Sequence, residues 1–137
     1  MAVRNKENHS WPLSARRTRS LLRAALTPAV QTTGLNFEAL AGGHNSMVRS
    51  LPAWVKRFGF LAGAGQYCLW CEPRRAPDYT FPSQMVLDIP RGRYLIDILD
   101  TETQTWVSRE SAEGGPLVAG LTYTGNELLV WTRVFKS

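Results

Sequence analysis

The sequence predicts an α+β fold in which a short helical N-terminal segment, residues 1–60, is followed by an antiparallel β-sandwich, residues 61–137. In the first segment apolar residues recur at three- and four-residue spacing, the period of an amphipathic helix. From Gly63 onward apolar and polar residues alternate, and turn residues recur about every ten positions, which is typical of antiparallel strands. No helical pattern in this part is long enough to form the crossover that parallel strands require.

The composition is that of a globular protein, and the charge is unevenly distributed. Of 137 residues, 44% are hydrophobic and 20% are charged, and the net charge is +5. Residues 1–60 hold nine basic and two acidic residues (+7), whereas residues 61–137 hold seven basic and nine acidic residues (−2). Because four of the arginines follow one side of a predicted helix, we expect a solvated helix face and no sequence-specific nucleic-acid binding.

Two helices are predicted in the first segment. Ser14 is a suitable N-cap for a helix over Ala15–Ala25. Residues 34–40 are ambiguous, because an apolar alternation is followed by alanine-rich sequence. A second helix is predicted over residues 45–58, whose apolar positions lie at helical spacing: Met47, Val48, Leu51, Trp54, Val55 and Phe58.

Five or six strands are predicted in the second segment. They lie near residues 66–71, 84–89, 93–99, 105–109, 117–123 and 126–134. Residues 100–104 have the composition of a hairpin loop. The period-two spacing on adjacent strands places five side chains in the interior: Tyr94, Ile96, Ile98, Leu128 and Val130.

Cys68 and Cys71 form a C-x-x-C pair within a strand-like run. Residues three apart on a strand point to opposite faces, so a disulfide between them is not expected. Two cysteines alone do not complete a zinc site, and no metal is expected. We therefore predict that both cysteines are buried and inert.

The aromatic residues and His44 have structural interpretations. Trp70, Trp106 and Trp131 lie in predicted strands, where they either fill the core or form an exposed sugar-binding platform. A small sandwich needs large residues for its core, so core packing is favoured. His44 follows two glycines and is interpreted as a helix cap. Neither histidine lies beside a serine or cysteine in the context of a nucleophile, so a catalytic triad is not supported.

The second half resembles the C-terminal β-sandwich module that follows the barrel in many bacterial TIM-barrel glycoside hydrolases. The resemblance lies in four segments, GQYCLW, MVLDIPRGRY, DILDTET and NELLVW, whose order and spacing match across about 75 residues. At the position of the usual hairpin glycine this chain has Gln104.

By the same resemblance, the first half is similar to the end of the preceding barrel, a partial barrel remnant. Glu7 then falls where these enzymes carry a catalytic carboxylate, at the C-terminal end of a barrel strand, the alternative being a solvated acid. His9 and Trp11 beside it could line a sugar subsite. Glycoside hydrolysis needs two carboxylates, and only Glu7 has a family-like context, so no activity is expected for this chain alone.

The leading functional hypothesis is the C-terminal part of a glycoside hydrolase, with an accessory β-sandwich that supports the barrel. The alternative is an independent glycan- or protein-binding sandwich. A third hypothesis is a basic protein associated with nucleic acid. Carbohydrate is the partner that the resemblance implies, and no cofactor is expected because the sequence lacks a phosphate-binding loop and a dinucleotide fingerprint.

The sequence has no apolar run of about 18 residues and no signal-peptide pattern, so no membrane association is expected. The localisation of the parent protein, whether secreted or periplasmic, stays open. If residues 1–60 come from a barrel, the helix over residues 45–58 exposes an apolar face. Such a face promotes self-association. A chain that begins near Leu61 is then expected to be more soluble and more monomeric, with the sandwich still folded.

Overall fold

The computed structural model describes residues 10–26, 35, 37–75 and 83–135. The fold is mixed α+β, 52% strand, with one α-helix in the described residues and mainly antiparallel sheets. The elements are β1 (Trp11–Pro12), α1 (Ala15–Ala25), β2 (Val48–Ser50), β3 (Val55–Gly63), β4 (Gln66–Pro73), β5 (Gln84–Leu87), β6 (Gly92–Asp100), β7 (Thr105–Gly114), β8 (Leu117–Gly120) and β9 (Leu128–Val134). Short 3-10 turns cover Phe37–Ala39 and Asn45–Met47.

The strands form two sheets that pack in a sandwich-like arrangement. One sheet has six strands in the order β1-β3-β4-β9-β6-β7, and the other has three in the order β2-β5-β8. Within them only β1 and β3 pair in parallel. The inner core lies between the sheets and contains all five side chains predicted for the interior, namely Tyr94, Ile96, Ile98, Leu128 and Val130.

Helix α1 covers the opposite, outer face of the six-stranded sheet. It begins as predicted, because the Ser14 hydroxyl accepts the Arg17 N–H at 3.1 Å. Its buried residues, Thr18, Leu22 and Ala25, face a second apolar cluster. In that cluster the sheet contributes Leu61, Cys68, Trp70, Leu99, Leu129 and Trp131. The central strands are therefore buried on both faces.

The contact between α1 and β3 depends on Gly59. A Cβ atom at this position would lie 2.7 Å from the Cβ of Thr18, with other atoms of that side chain closer still. Because the nearest atoms include the stem of a short, buried side chain, they cannot move aside without moving the helix. The glycine therefore sets how closely the helix approaches the sheet.

The prediction of buried, inert cysteines is supported by their positions in β4. Cys68 packs in the outer cluster beneath α1, and Cys71 packs in the inner core. Both are free thiols, and burial raises the pKa of each to about 12. Neither is a thiolate at neutral pH.

The predicted helix over residues 45–58 is wrong. The segment forms a 3-10 turn, β2, a turn in which the Val55 N–H donates to the Pro52 carbonyl at 3.0 Å, and the start of β3. An irregularity in register between Val55 and Arg57 marks a β-bulge. It places Val55 and Phe58, three residues apart, in the same core. The spacing that suggested a helix therefore comes from a bulged strand.

The boundary predicted after residue 60 falls inside β3. This strand supplies Val55, Phe58 and Phe60 to the inner core, and Trp54 just before it is also buried. Two of the residues expected to form an exposed helix face, Val55 and Phe58, thus lie in the interior. The surface on which the expectation of self-association rested is not formed.

The Asp100 carboxylate organises the turn between β6 and β7. Its Oδ1 accepts the N–H groups of Glu102 at 3.0 Å and Thr103 at 3.1 Å, and the Asn126 amide lies within 3.3 Å of both oxygens. Burial raises the pKa of Asp100, but the hydrogen bonds from Thr103, Asn126, Thr124 and Glu102 together bring this pKa below its ordinary value. The ionised form is therefore favoured in the folded protein.

Gly59→Ala should destabilise the protein by about 1–3 kcal/mol, because the new methyl group forces α1 away from β3. Gly120→Ala is the matched control, since its Cβ would find its nearest neighbour at 3.9 Å, and it should change stability by less than about 0.5 kcal/mol. Urea unfolding measures both. Equal stability of the two variants would show that the contact at Gly59 relaxes freely.

A chain that begins at Leu61 should be unfolded, contrary to the expectation from the sequence, because it lacks α1 and most of β3. A chain that begins at Ser10 retains every described element and is the control. Far-ultraviolet circular dichroism during urea titration tests this expectation. A cooperative transition in the shorter chain would contradict it.

Asp100→Asn should cost about 2 kcal/mol at pH 7, because hydrogen bonds to a charged acceptor are lost. The pKa of Asp100 is lower in the folded than in the unfolded protein, so this stabilisation is present above about pH 4 and is lost as the pH falls through the folded value. Urea unfolding at pH 7 and pH 3 should show the difference shrinking in acid. Glu102→Gln is the control, because it removes an exposed carboxylate from the same turn. If Asp100→Asn costs the same free energy at both pH values, the stabilisation does not depend on the ionised form of Asp100.

Candidate functional site

Only one of the three site residues predicted from the sequence lies in the described part of the chain. Glu7 and His9 lie outside the described residues, so the catalytic role of Glu7 and the sugar-binding role of His9 stay predictions. Trp11 lies in β1, where it is 60% exposed. The candidate site is therefore built around Trp11.

β1 is held against β3 by contacts on both sides of Trp11. The Ser10 hydroxyl donates to the Val55 carbonyl at 2.8 Å, and the Leu13 N–H donates to the Phe58 carbonyl at 2.7 Å. Trp11 itself is in register with Arg57. The backbone that carries the indole is thus fixed to the edge of the six-stranded sheet.

Three side chains of different chemistry lie in register across β1, β3 and β4. Trp11 pairs with Arg57, and Arg57 pairs with Glu72. Registered residues on adjacent strands point to the same face, and neighbouring strands are about 4.8 Å apart, so the three span roughly 10 Å. We call Trp11, Arg57 and Glu72 the aromatic row. It lies on the outer face, next to the part of β3 that α1 covers.

Arg57 and Glu72 form a bidentate ion pair. Arg57 Nε donates to Glu72 Oε1 at 2.7 Å, and Nη2 donates to Oε2 at 2.9 Å. The hydrogen bonds and charge of Glu72 raise the pKa of Arg57. The side chains remain 40% and 18% exposed, respectively. A guanidinium has five N–H donors and a carboxylate about four acceptor sites, so both groups keep hydrogen-bonding capacity for a ligand.

The three tryptophans of the second half do not form a platform. Trp70 and Trp131 are buried in the outer cluster, as core packing predicted, and the Trp131 Nε1–H donates to Gln66 Oε1 at 3.2 Å. Trp106 lies on the edge strand β7 and is 38% exposed, so the prediction of core packing is wrong for it. An edge strand leaves the outer end of the sheet without a neighbour to cover this ring.

A second polar cluster joins β6, β7 and β9. Asp97 is 3% exposed, and Arg109 donates to its two oxygens at 2.7 and 3.0 Å. Arg133 Nη1 lies 3.1 Å from Oδ2 of Asp97, and its guanidinium carbon lies 3.7 Å from the centroid of the Trp131 ring. Two arginines thus neutralise the buried carboxylate, and one of them also stacks on Trp131. We interpret this cluster as one that stabilises the pairing of the three strands.

An open groove of about 630 Å³ lies between the edge strands β1 and β2. Its polar lining includes Ser10 and Arg49, but Ser10 already donates to Val55, and Arg49 is paired with Asp88 at 2.6 Å. Trp11 does not line the groove. Among the described residues that line the groove, the one aromatic side chain, Phe58, is 8% exposed, so the groove lacks the stacking surface that Trp11 gives the aromatic row.

Comparisons with protein-family models, with curated proteins and with solved structures found no match. The function must therefore be inferred from the chemistry of the site.

In the described ranges no three His, Cys, Asp or Glu side chains are grouped to hold a metal ion, and no helix is long and apolar enough to span a membrane. His44 is the N-cap residue of the 3-10 turn over Asn45–Met47: its carbonyl accepts the Met47 N–H at 3.0 Å, and its side chain makes no capping bond.

The sequence predicted a site residue at Trp11, and it did not point to Arg57 or Glu72. These residues are 46 and 61 positions further along the chain, and only the pairing of β1, β3 and β4 brings them together. Arg57 had been placed in a helix, which hid its alternation with Phe58. A strand prediction over residues 55–63 would have been the signal needed to place Arg57 beside Glu72.

Proposed function

We propose that this chain is a non-catalytic β-sandwich module that binds carbohydrate through the aromatic row. The single observation that supports the proposal is the juxtaposition of an exposed indole, a guanidinium and a carboxylate on three adjacent strands. Binding sites for small ligands combine apolar surface with a few well-placed polar groups, and this row supplies both.

The chemistry of the row suits a sugar. The face of the Trp11 indole can pack against the apolar face of a pyranose ring. Hydroxyl groups both donate and accept, so they can donate to Glu72 and accept from Arg57. The bidentate pair already restricts both side chains, which reduces the entropy that binding would cost.

A second candidate function is the accessory role suggested by the resemblance to glycoside hydrolases. Under this hypothesis residues 1–60 are a partial barrel remnant, and Glu7 corresponds to a catalytic carboxylate of the barrel. The sandwich then supports the barrel. The outer face of the three-stranded sheet favours this role, because Ser50, Val86 and Val118 lie in register across it. Val118 is exposed, and these small side chains form a surface on which another domain could pack.

Trp11→Ala should weaken polysaccharide binding about tenfold or more, because the stacking surface is lost. Affinity electrophoresis in gels that contain dextran, xylan, carboxymethylcellulose or dextran sulfate measures the dissociation constant for each polymer. Trp106→Ala is the matched control, since it removes another exposed indole from the outer end of the same sheet.

Two results would contradict the proposal. One is that no polymer retards the wild-type protein. The other is that Trp11→Ala and Trp106→Ala weaken binding equally, which would indicate general contact with exposed indoles. Circular dichroism of both variants should first confirm that each has the wild-type fold.

A further inference from the structure

A concave surface borders the aromatic row at Glu72. It has a volume of about 600 Å³ and is lined by Lys56, Glu72, Pro73, Arg74, Arg75, Gly125 and Glu127. We call this surface the basic hollow. Since Glu72 belongs to both, a chain of sugar rings that begins on Trp11 and passes over Arg57 would reach the hollow next.

The basic hollow carries a positive charge excess. Glu72 is neutralised by its bidentate pair with Arg57, so the remaining charges are those of Lys56, Arg74 and Arg75 against Glu127, a net of +2. A concave surface with a net positive charge attracts anionic ligands and raises their local concentration. The hollow therefore favours a ligand that carries anionic groups.

The wall of the hollow is fixed by the end of β4. The Arg74 N–H donates to the Trp54 carbonyl at 2.6 Å, and Arg74 Nε donates to the Ala53 carbonyl at 3.0 Å. The Arg74 carbonyl accepts the Tyr123 hydroxyl at 3.1 Å. Arg74 thus has a structural role, whereas Lys56 and Arg75 are exposed.

We propose that the ligand is an acidic polysaccharide, with a sugar ring stacked on Trp11 and a carboxylate or sulfate group bound by Lys56 and Arg75. The inference rests on the proposed function and specifies its ligand class. The carboxylates of Glu72 and Glu127 favour a saccharide over nucleic acid. These groups accept hydrogen bonds from the hydroxyls that lie between the anionic groups of such a polymer, whereas the backbone of DNA has no hydroxyl donors.

Dextran and dextran sulfate are suitable probes, because they share a backbone and differ in sulfate. Wild-type protein should bind dextran sulfate at least tenfold more tightly than dextran, and added salt should weaken the difference. The Lys56→Gln, Arg75→Gln double variant should lose about three- to tenfold in affinity for dextran sulfate, because two exposed ion pairs are removed. Trp11→Ala should weaken binding of the same polymer.

The matched control is the Arg91→Gln, Arg93→Gln double variant, which removes the same charge where β6 begins. Tyr94 of β6 pairs with Val134, whereas Glu127 of the hollow precedes Leu128, so the two sites lie at opposite ends of β9. The control should retain dextran sulfate binding within about twofold, as expected for charges outside the binding site.

The outcomes separate the inference from the proposed function. Equal losses in the two double variants would overturn the inference, since binding would follow net charge alone. Equal affinity for dextran and dextran sulfate, with a loss in Trp11→Ala, would overturn it while leaving the proposed function intact. If Trp11→Ala binds every polymer as tightly as the wild-type protein does, both the inference and the proposed function are rejected. A single-stranded oligonucleotide that binds more tightly than dextran sulfate would assign the surface to nucleic acid and also overturn the inference.

Discussion

The six-stranded sheet depends on α1, because its central strands carry large apolar side chains on both faces. In β4, Leu69 and Cys71 face the inner core, whereas Cys68 and Trp70 face the helix. A sheet buried on both faces needs a second layer, and an amphipathic helix supplies it. Gly59 lets that layer approach closely, so a position without a side chain controls the packing of the large residues around it.

The end of α1 is also connected to the turn after β6. Gln104 has a φ of 59°, the left-handed region that favours the glycine expected here from the family resemblance. Its side-chain amide donates to the Thr101 carbonyl at 2.8 Å and lies 3.4 Å from the Ala25 carbonyl. The second contact lies at the last residue of the helix, where carbonyls lack intrahelical partners. Glutamine adopts this backbone conformation less readily than glycine, but its side chain adds a contact between the turn and the helix.

The sequence predicted β5 to β9 well, because each of these strand-like runs is short and is bounded by turn residues. It predicted Ala15–Ala25 well, because the N-cap and the apolar face are local signals. It failed at residues 45–58, where a β-bulge and the turn at Pro52 imitate helical spacing. The sequence did not predict the aromatic row, because the helix predicted over residues 45–58 hid β3. In addition, the pairing of β1 with β3 joins residues 46 positions apart, which no local pattern encodes.

The strand that supplies Arg57 to the aromatic row also supplies side chains to the inner core. Arg57 is flanked by Phe58, which enters the inner core, while its own side chain points outward to Glu72. Bulging of β3 before Arg57 therefore sets both the burial of Phe58 and the position of the guanidinium. A group positioned in this way needs little reorganisation to meet a ligand, which favours binding by a rigid surface over binding by a loop that closes. Loss of the bulge would displace the core and the row together, so the proposed binding surface cannot be separated from the fold that carries it.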